Sequence, residues 1–141
     1  MSELDDLLQS MMADYKDELI YDMELGKSIE GRPIMAYVFM LGTTKNDFEQ
    51  DFSERQTILI DAVHHARELT TISQVVYTML AMLHGYEHDN QEYIGLMENG
   101  AIIFIPLVNP DGVAYIDDYY AKTGGRFAFI RKNRNISYEK M

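Results

Sequence analysis

The sequence predicts an α/β fold, a mixed and largely parallel sheet flanked by helices. Three observations predict it. Two short apolar runs, residues 57–62 (TILIDA) and 101–107 (AIIFIPL), read as strands. Between them Ile72, Val75, Val76, Met79 and Leu83 recur at i, i+3, i+4, i+7 and i+11, an amphipathic helix. Strand, helix, strand is a βαβ unit, whose two strands run parallel. A strand–turn–strand pattern earlier in the chain supplies the antiparallel part.

Each element has a local reason. Ser2, with Asp5 three residues on, resembles a helix N-cap and its acidic first turn. Leu4, Leu7, Leu8, Met11, Tyr15 and Leu19 follow at helical spacing, so a helix is expected over residues 3–18. Residues 21–41 read as strand, turn and strand, with Glu30-Gly31-Arg32-Pro33 as the turn. The polar stretch 42–55 reads as a loop. TILIDA is β-branched and apolar, the kind of run that fits a strand covered on both faces. Thr70 or Thr71 can cap the central helix and Gly85 can end it. A short helical segment follows around residues 92–98. AIIFIPL is a second buried strand, closed by the turn residues Asn109-Pro110-Asp111-Gly112.

The totals set outer bounds. At 141 residues the chain suits one domain with a modest core. Acidic residues outnumber basic ones 23 to 12, a net charge of −11, which argues against a general nucleic-acid binder. With no cysteine, a metal here must be held by imidazole and carboxylate. The N-terminus MSELDDLLQS lacks a basic-then-apolar leader, and no run approaches the roughly 18 apolar residues of a membrane span. Those features favour a cytoplasmic protein without a membrane partner.

Topology singles out one stretch. DAVHHARE (residues 61–68) and NPDG both follow the C-terminal ends of parallel strands, and ligands of open α/β sheets bind at that edge. His65 and Glu68 are separated by two residues in a strand-to-helix turn. Such a turn can bring imidazole and carboxylate to one point, and nitrogen and oxygen ligands suit Zn²⁺. The bland alternative is a pair of solvated loop residues, because His and Glu fall three apart often by chance. His64 is the rival ligand. In an extended segment neighbours point to opposite faces, so His64 is expected to turn into the packing beside His65. His84 and His88, at a helix end, read as surface residues near terminal carbonyls. Arg67 can bind a substrate carboxylate through its planar fork or make an ordinary surface salt bridge. Arg131 lies in the basic cluster from Arg126 to Arg134, where composition alone cannot choose one residue.

Four ordered motifs carry a resemblance: GKSIEGRPI, DAVHHARELTT, NPDGVAY and FAFIRKNR. Together they resemble the zinc metallocarboxypeptidases of the carboxypeptidase A/B type, over about residues 5–135. The resemblance implies the N-terminal portion of a zinc-carboxypeptidase-like fold, with residues 1–141 forming a single partial domain. It implies His65 and Glu68 as ligands of one Zn²⁺, Arg67 as a substrate-side arginine, and Arg131 as the arginine that polarises the scissile carbonyl. The reaction it implies is hydrolysis of a C-terminal peptide bond, with peptide or protein C-termini as substrate. Val63 stands where the family usually has Gly, and Leu69 where many members have Trp. No matching motif supplies the third zinc ligand, the general base or the specificity pocket. Asn133-Arg134-Asn135 spells the family's carboxylate-binding N-R-N, but it follows the R-K-x-R segment too closely. The chain alone is therefore expected to bind zinc weakly and to be inactive. The alternative is a non-catalytic pseudoenzyme or interaction module. A sheet cut partway also leaves an unpaired edge, open to self-association.

Overall fold

The computed structural model describes residues 2–16 and 18–134. The side chain of Ser2, and with it the expected cap, lies outside that description, as does Asn135. Among the described residues, five helices and four strands follow in the order α1 (Ser2–Tyr15), β1 (Ile20–Lys27), β2 (Pro33–Phe39), α2 (Phe48–Glu54), β3 (Gln56–Asp61), α3 (Thr70–Glu87), α4 (Gln91–Asn99), β4 (Gly100–Ile105) and α5 (Pro110–Lys122).

The strands form one sheet in the order β1-β2-β4-β3. β3 and β4 pair in parallel, as the βαβ pattern requires. β1 pairs with β2, and β2 with β4, in antiparallel fashion. The sheet is mixed, but antiparallel pairing predominates, which corrects the expectation of a largely parallel sheet. The reason is where the hairpin docks. β2 joins the βαβ unit along the free side of β4, which adds a second antiparallel pairing and leaves only β3·β4 parallel.

β4 is one of the two interior strands, and its alternation divides the two faces. Ile102 and Phe104 enter the main core with Leu8 and Met11 of α1, Phe39 of β2, and Val75, Met79, Met82 and Leu83 of α3. Ala101 lies on the opposite face with Tyr21 and Val38, where Phe48 and Phe52 of α2 pack against them. The Tyr21 and Phe48 rings stack at 4.5 Å. The Tyr15 hydroxyl donates to Glu87, and this contact together with partial burial pushes the phenol up to about 12.

Several local readings change. Residues 42–55 contain α2, whose aromatic residues supply the cover for the second face. β3 is an edge strand, and Ile58 and Leu59 remain about half exposed, so TILIDA is not covered on both faces. Gly85 does not end α3, which runs on to Glu87. It is buried because the Tyr93 ring of α4 lies against it, where a Cβ would come within 2.2 Å of Tyr93 Cδ2. Neither threonine caps α3; Leu69 takes the cap position without a side-chain bond. N-P-D-G opens a helix. The Asn109 side chain accepts from the Gly112 N–H, and Pro110 fills the first turn, where no N–H is needed.

Candidate metal and substrate site

The parallel pairing continues past the strands: the Ala62 N–H donates to the Ile105 carbonyl, and the Val108 N–H to that of Ala62. Both following loops thereby leave on one edge, where ligands of α/β sheets bind. The first loop closes at once into a turn, with the Glu68 N–H donating to the His65 carbonyl at 2.9 Å. Thr71 Oγ1 fastens it, donating to the Glu68 carbonyl at 2.7 Å and accepting from the Val63 N–H at 3.1 Å. Asn109 braces the other side: its Nδ2 donates to the His64 carbonyl at 3.3 Å while its Oδ1 accepts from Gly112.

A hollow of about 470 Å³ opens at this edge, lined by His64, His65, Val108, Asn109, Arg131, Lys132 and Asn133. The structure thus brings His65 and Arg131 to one cavity. Glu68 sits next to it, its Oε1 3.9 Å from Arg131 Nη2. Arg67 is exposed and stands outside the lining. The Arg131 carbonyl accepts from the Ala66 N–H at 3.2 Å, which stitches the basic segment to the HHARE turn.

His64 does not turn into the packing. It is largely exposed, lines the same hollow as His65, and its Nε2 lies 3.3 Å from Asp61 Oδ2. Residues 64–67 are a turn, so strand alternation does not apply to them. His84 and His88 lie elsewhere, exposed at the end of α3. Their rings stack at 4.0 Å, with His88 Nδ1 2.8 Å from the His84 carbonyl.

A charged cluster joins two of the sequence motifs. Asp111, only 2 % exposed, accepts from Ser28 Oγ at 2.6 Å, the Glu30 N–H at 2.9 Å and Arg32 Nη1 at 2.7 Å. Burial disfavours its charge, but these hydrogen bonds and the Arg32 charge outweigh burial and hold the carboxyl below its ordinary range. Ser28, Glu30 and Arg32 all belong to the hairpin turn, where Gly31 adopts φ +83°. The roles of Asn109 and Asp111 were not visible as chemistry in the sequence. The available signal was Asn-Pro at a helix start, which aims an amide and a carboxylate from one short loop.

The donors here fit zinc in kind: the His64 and His65 imidazoles line the hollow and the Glu68 carboxylate stands beside it. They do not gather into the three-ligand set that a catalytic zinc usually has. Among the described residues, no group of three His, Cys, Asp or Glu stands together to hold an ion.

The sheet edge thus gathers His64 and His65 from the loop after β3 and Arg131 from the segment after α5, with Glu68 beside them. The zinc carboxypeptidase family model matches residues 4–138, and the chain belongs to that family. It is 36 % identical over 93 residues to the inactive metallocarboxypeptidase ECM14 of Uncinocarpus reesii, and 37 % identical to that of Arthroderma gypseum. Each of those matches covers 66 % of this chain and 15 % of the relative. Carboxypeptidase A from Helicoverpa armigera superposes with a TM-score of 0.68 at 26 % identity, over 97 % of this chain and 29 % of that one. Thrombin activatable fibrinolysis inhibitor shares the fold, with a TM-score of 0.71 at 21 % identity over 95 % of this chain and 29 % of that one. The chain therefore spans under a third of each of these four proteins.

Proposed function

We propose that this chain carries one half of a zinc carboxypeptidase centre for hydrolysis of C-terminal peptide bonds, and that it is inactive alone. The observation that supports this is the hollow itself, where His65 and Arg131 meet with Glu68 at its side. His65 and Glu68 would hold the ion, which when bound supplies Lewis acidity and an activated water. Arg131 stabilises negative charge developing on the scissile carbonyl oxygen, and losing such a donor typically costs about 10²–10³ in rate. Without a metal, Glu68 faces Arg131; engaging Glu68 elsewhere frees that guanidinium for substrate. Arg67, exposed beside the turn, contacts the substrate from the solvent side. The substrates are peptide or protein C-termini.

Zinc affinity of the purified 141-residue chain tests the reading, against His65→Ala and Glu68→Ala. Weak binding that either substitution abolishes, with no cleavage of blocked dipeptides, is the expected result. Tight binding with turnover overturns the claim of inactivity, and binding indifferent to both substitutions overturns the half-site.

A second reading is favoured by the relatives named inactive: a pseudoenzyme or interaction module that keeps the fold without the chemistry. A longer product that binds zinc through His65 and Glu68 yet cleaves no peptide supports that alternative. Either way the uncovered edge of β3 offers a route to self-association.

A further inference from the structure

Residues 126–134 form no helix or strand, yet Arg131, Lys132 and Asn133 make one wall of the hollow. An irregular wall needs anchors, or backbone entropy scatters it. The direct contact between Arg131 and Glu68 is too weak to fix it, since it spans 3.9 Å and both side chains are about half exposed. One firm anchor is the Ala66 N–H, which donates to the Arg131 carbonyl. A second lies three residues on. Arg134 Nε is 3.4 Å from Glu30 Oε1, and its guanidinium lies 4.3 Å over the Tyr115 ring. Three residues reach at most about 11 Å, so a fixed Arg134 confines Arg131 closely.

Glu30 is itself held. Its Oε2 accepts from Arg32 Nη1 at 2.6 Å, and the same Arg32 atom lies 2.7 Å from Asp111 Oδ1. Charges alternate along Asp111, Arg32, Glu30 and Arg134, from a buried carboxylate outward to the wall. Asp111 and Tyr115 are four residues apart on α5, so one face of that helix supports both the inner end of the chain and the ring beneath Arg134. A planar guanidinium can stack and pair at once, which a lysine ammonium cannot do in the same way.

We infer that Arg134 is a positioning residue for Arg131. Clamped by Glu30 and Tyr115, it holds the wall in register with the HHARE turn and so presents the Arg131 guanidinium to the hollow. The importance of that placement rests on the role proposed for Arg131; the clamp itself does not.

Amide hydrogen exchange on the ¹⁵N-labelled 141-residue chain tests the clamp without reference to activity. Arg134→Gln and Glu30→Gln should each lower protection of the Ala66 N–H about tenfold, leaving the Phe104 amide in the sheet centre unchanged. The double variant should lose no more than either single one. Unchanged Ala66 protection, or additive losses, overturns the inference. Should Arg134→Gln also expose Phe104, Arg134→Lys decides: a threefold loss at Ala66 supports the clamp and no loss overturns it. In a longer, active product Arg134→Gln should lower kcat with little change in KM. If Ala66 protection falls while kcat holds, the clamp stands and the catalytic reading of Arg131 fails.

Discussion

Val63 opens the site-bearing turn with φ +58° while its side chain is 2 % exposed. A β-branched residue in the left-handed region is strained by about 1–3 kcal/mol, and glycine alone adopts that backbone without penalty. Elsewhere a buried valine tolerates truncation to alanine better than to glycine. Here the order should invert: Val63→Gly should unfold at a higher urea midpoint than Val63→Ala, by about 1 kcal/mol in stability. Asp111 acts in the opposite sense, as a stabiliser through charge. Its folded carboxyl sits below its ordinary value, so its stabilisation is complete above about pH 4 and is lost as pH falls through the folded value. Asp111→Asn should cost about 2–3 kcal/mol at neutral pH, less than a fully buried pair because Arg32 is one-third exposed. It should also flatten the acid limb of the stability curve, measured by thermal unfolding from about pH 2 to about pH 6, a span that brackets the carboxylate range. At this scale the sequence named the edge where the candidate residues lie, but not their arrangement on it. His65 and Arg131 line one hollow with Glu68 beside it, and Arg67 stands outside. His64 lies on the hollow and not in the packing, because strand alternation does not hold for residues that fold as a turn.

Among the described strands, β3 is the most exposed, with no residue fully buried. Its Gln56–Asp61 segment contains neither Lys nor Pro, the usual guards of a sheet edge, and Ile58 and Leu59 are open to solvent. Pairing with the β3 of a second copy would satisfy its free backbone groups and cover both side chains. Sedimentation should therefore show mass rising with concentration, and Ile58→Lys should hold the chain monomeric; an unchanged distribution would exclude this edge as the contact. The exposure of β3 was illegible for a definite reason. A continuous apolar run reports that neither face suits water, but not whether a neighbour is present to cover them. α5 was hidden differently, since Asn-Pro-Asp-Gly fits a tight turn as well as a capped helix start with proline in its first turn. Gly85 misled because a glycine near a helix end has two uses, stopping the helix and admitting a neighbour, and only the Tyr93 ring decides between them.

At the scale of the molecule, four strands, the main core and one sheet edge match part of the family fold, over 29 % of each of two solved relatives. Pattern and topology made the βαβ unit legible; the pairing that made the sheet mostly antiparallel depended on where the hairpin docked, which no local pattern states. That docking has a kinetic consequence. The wall of the hollow is fixed by contacts such as Ala66 with Arg131 and Glu30 with Arg134, which bridge 65 and 104 positions of chain (131 − 66 and 134 − 30). Contacts that close such long loops are costly to form early, because the chain must be ordered before they reward it. The wall should therefore assemble after the rate-limiting step, once the β1–β2 hairpin and α5 are already in place. Arg134→Gln should then accelerate unfolding and leave the refolding rate nearly untouched, the signature of contacts absent from the transition state. The part of this chain nearest to chemistry is thus the last to arrive and the first to leave.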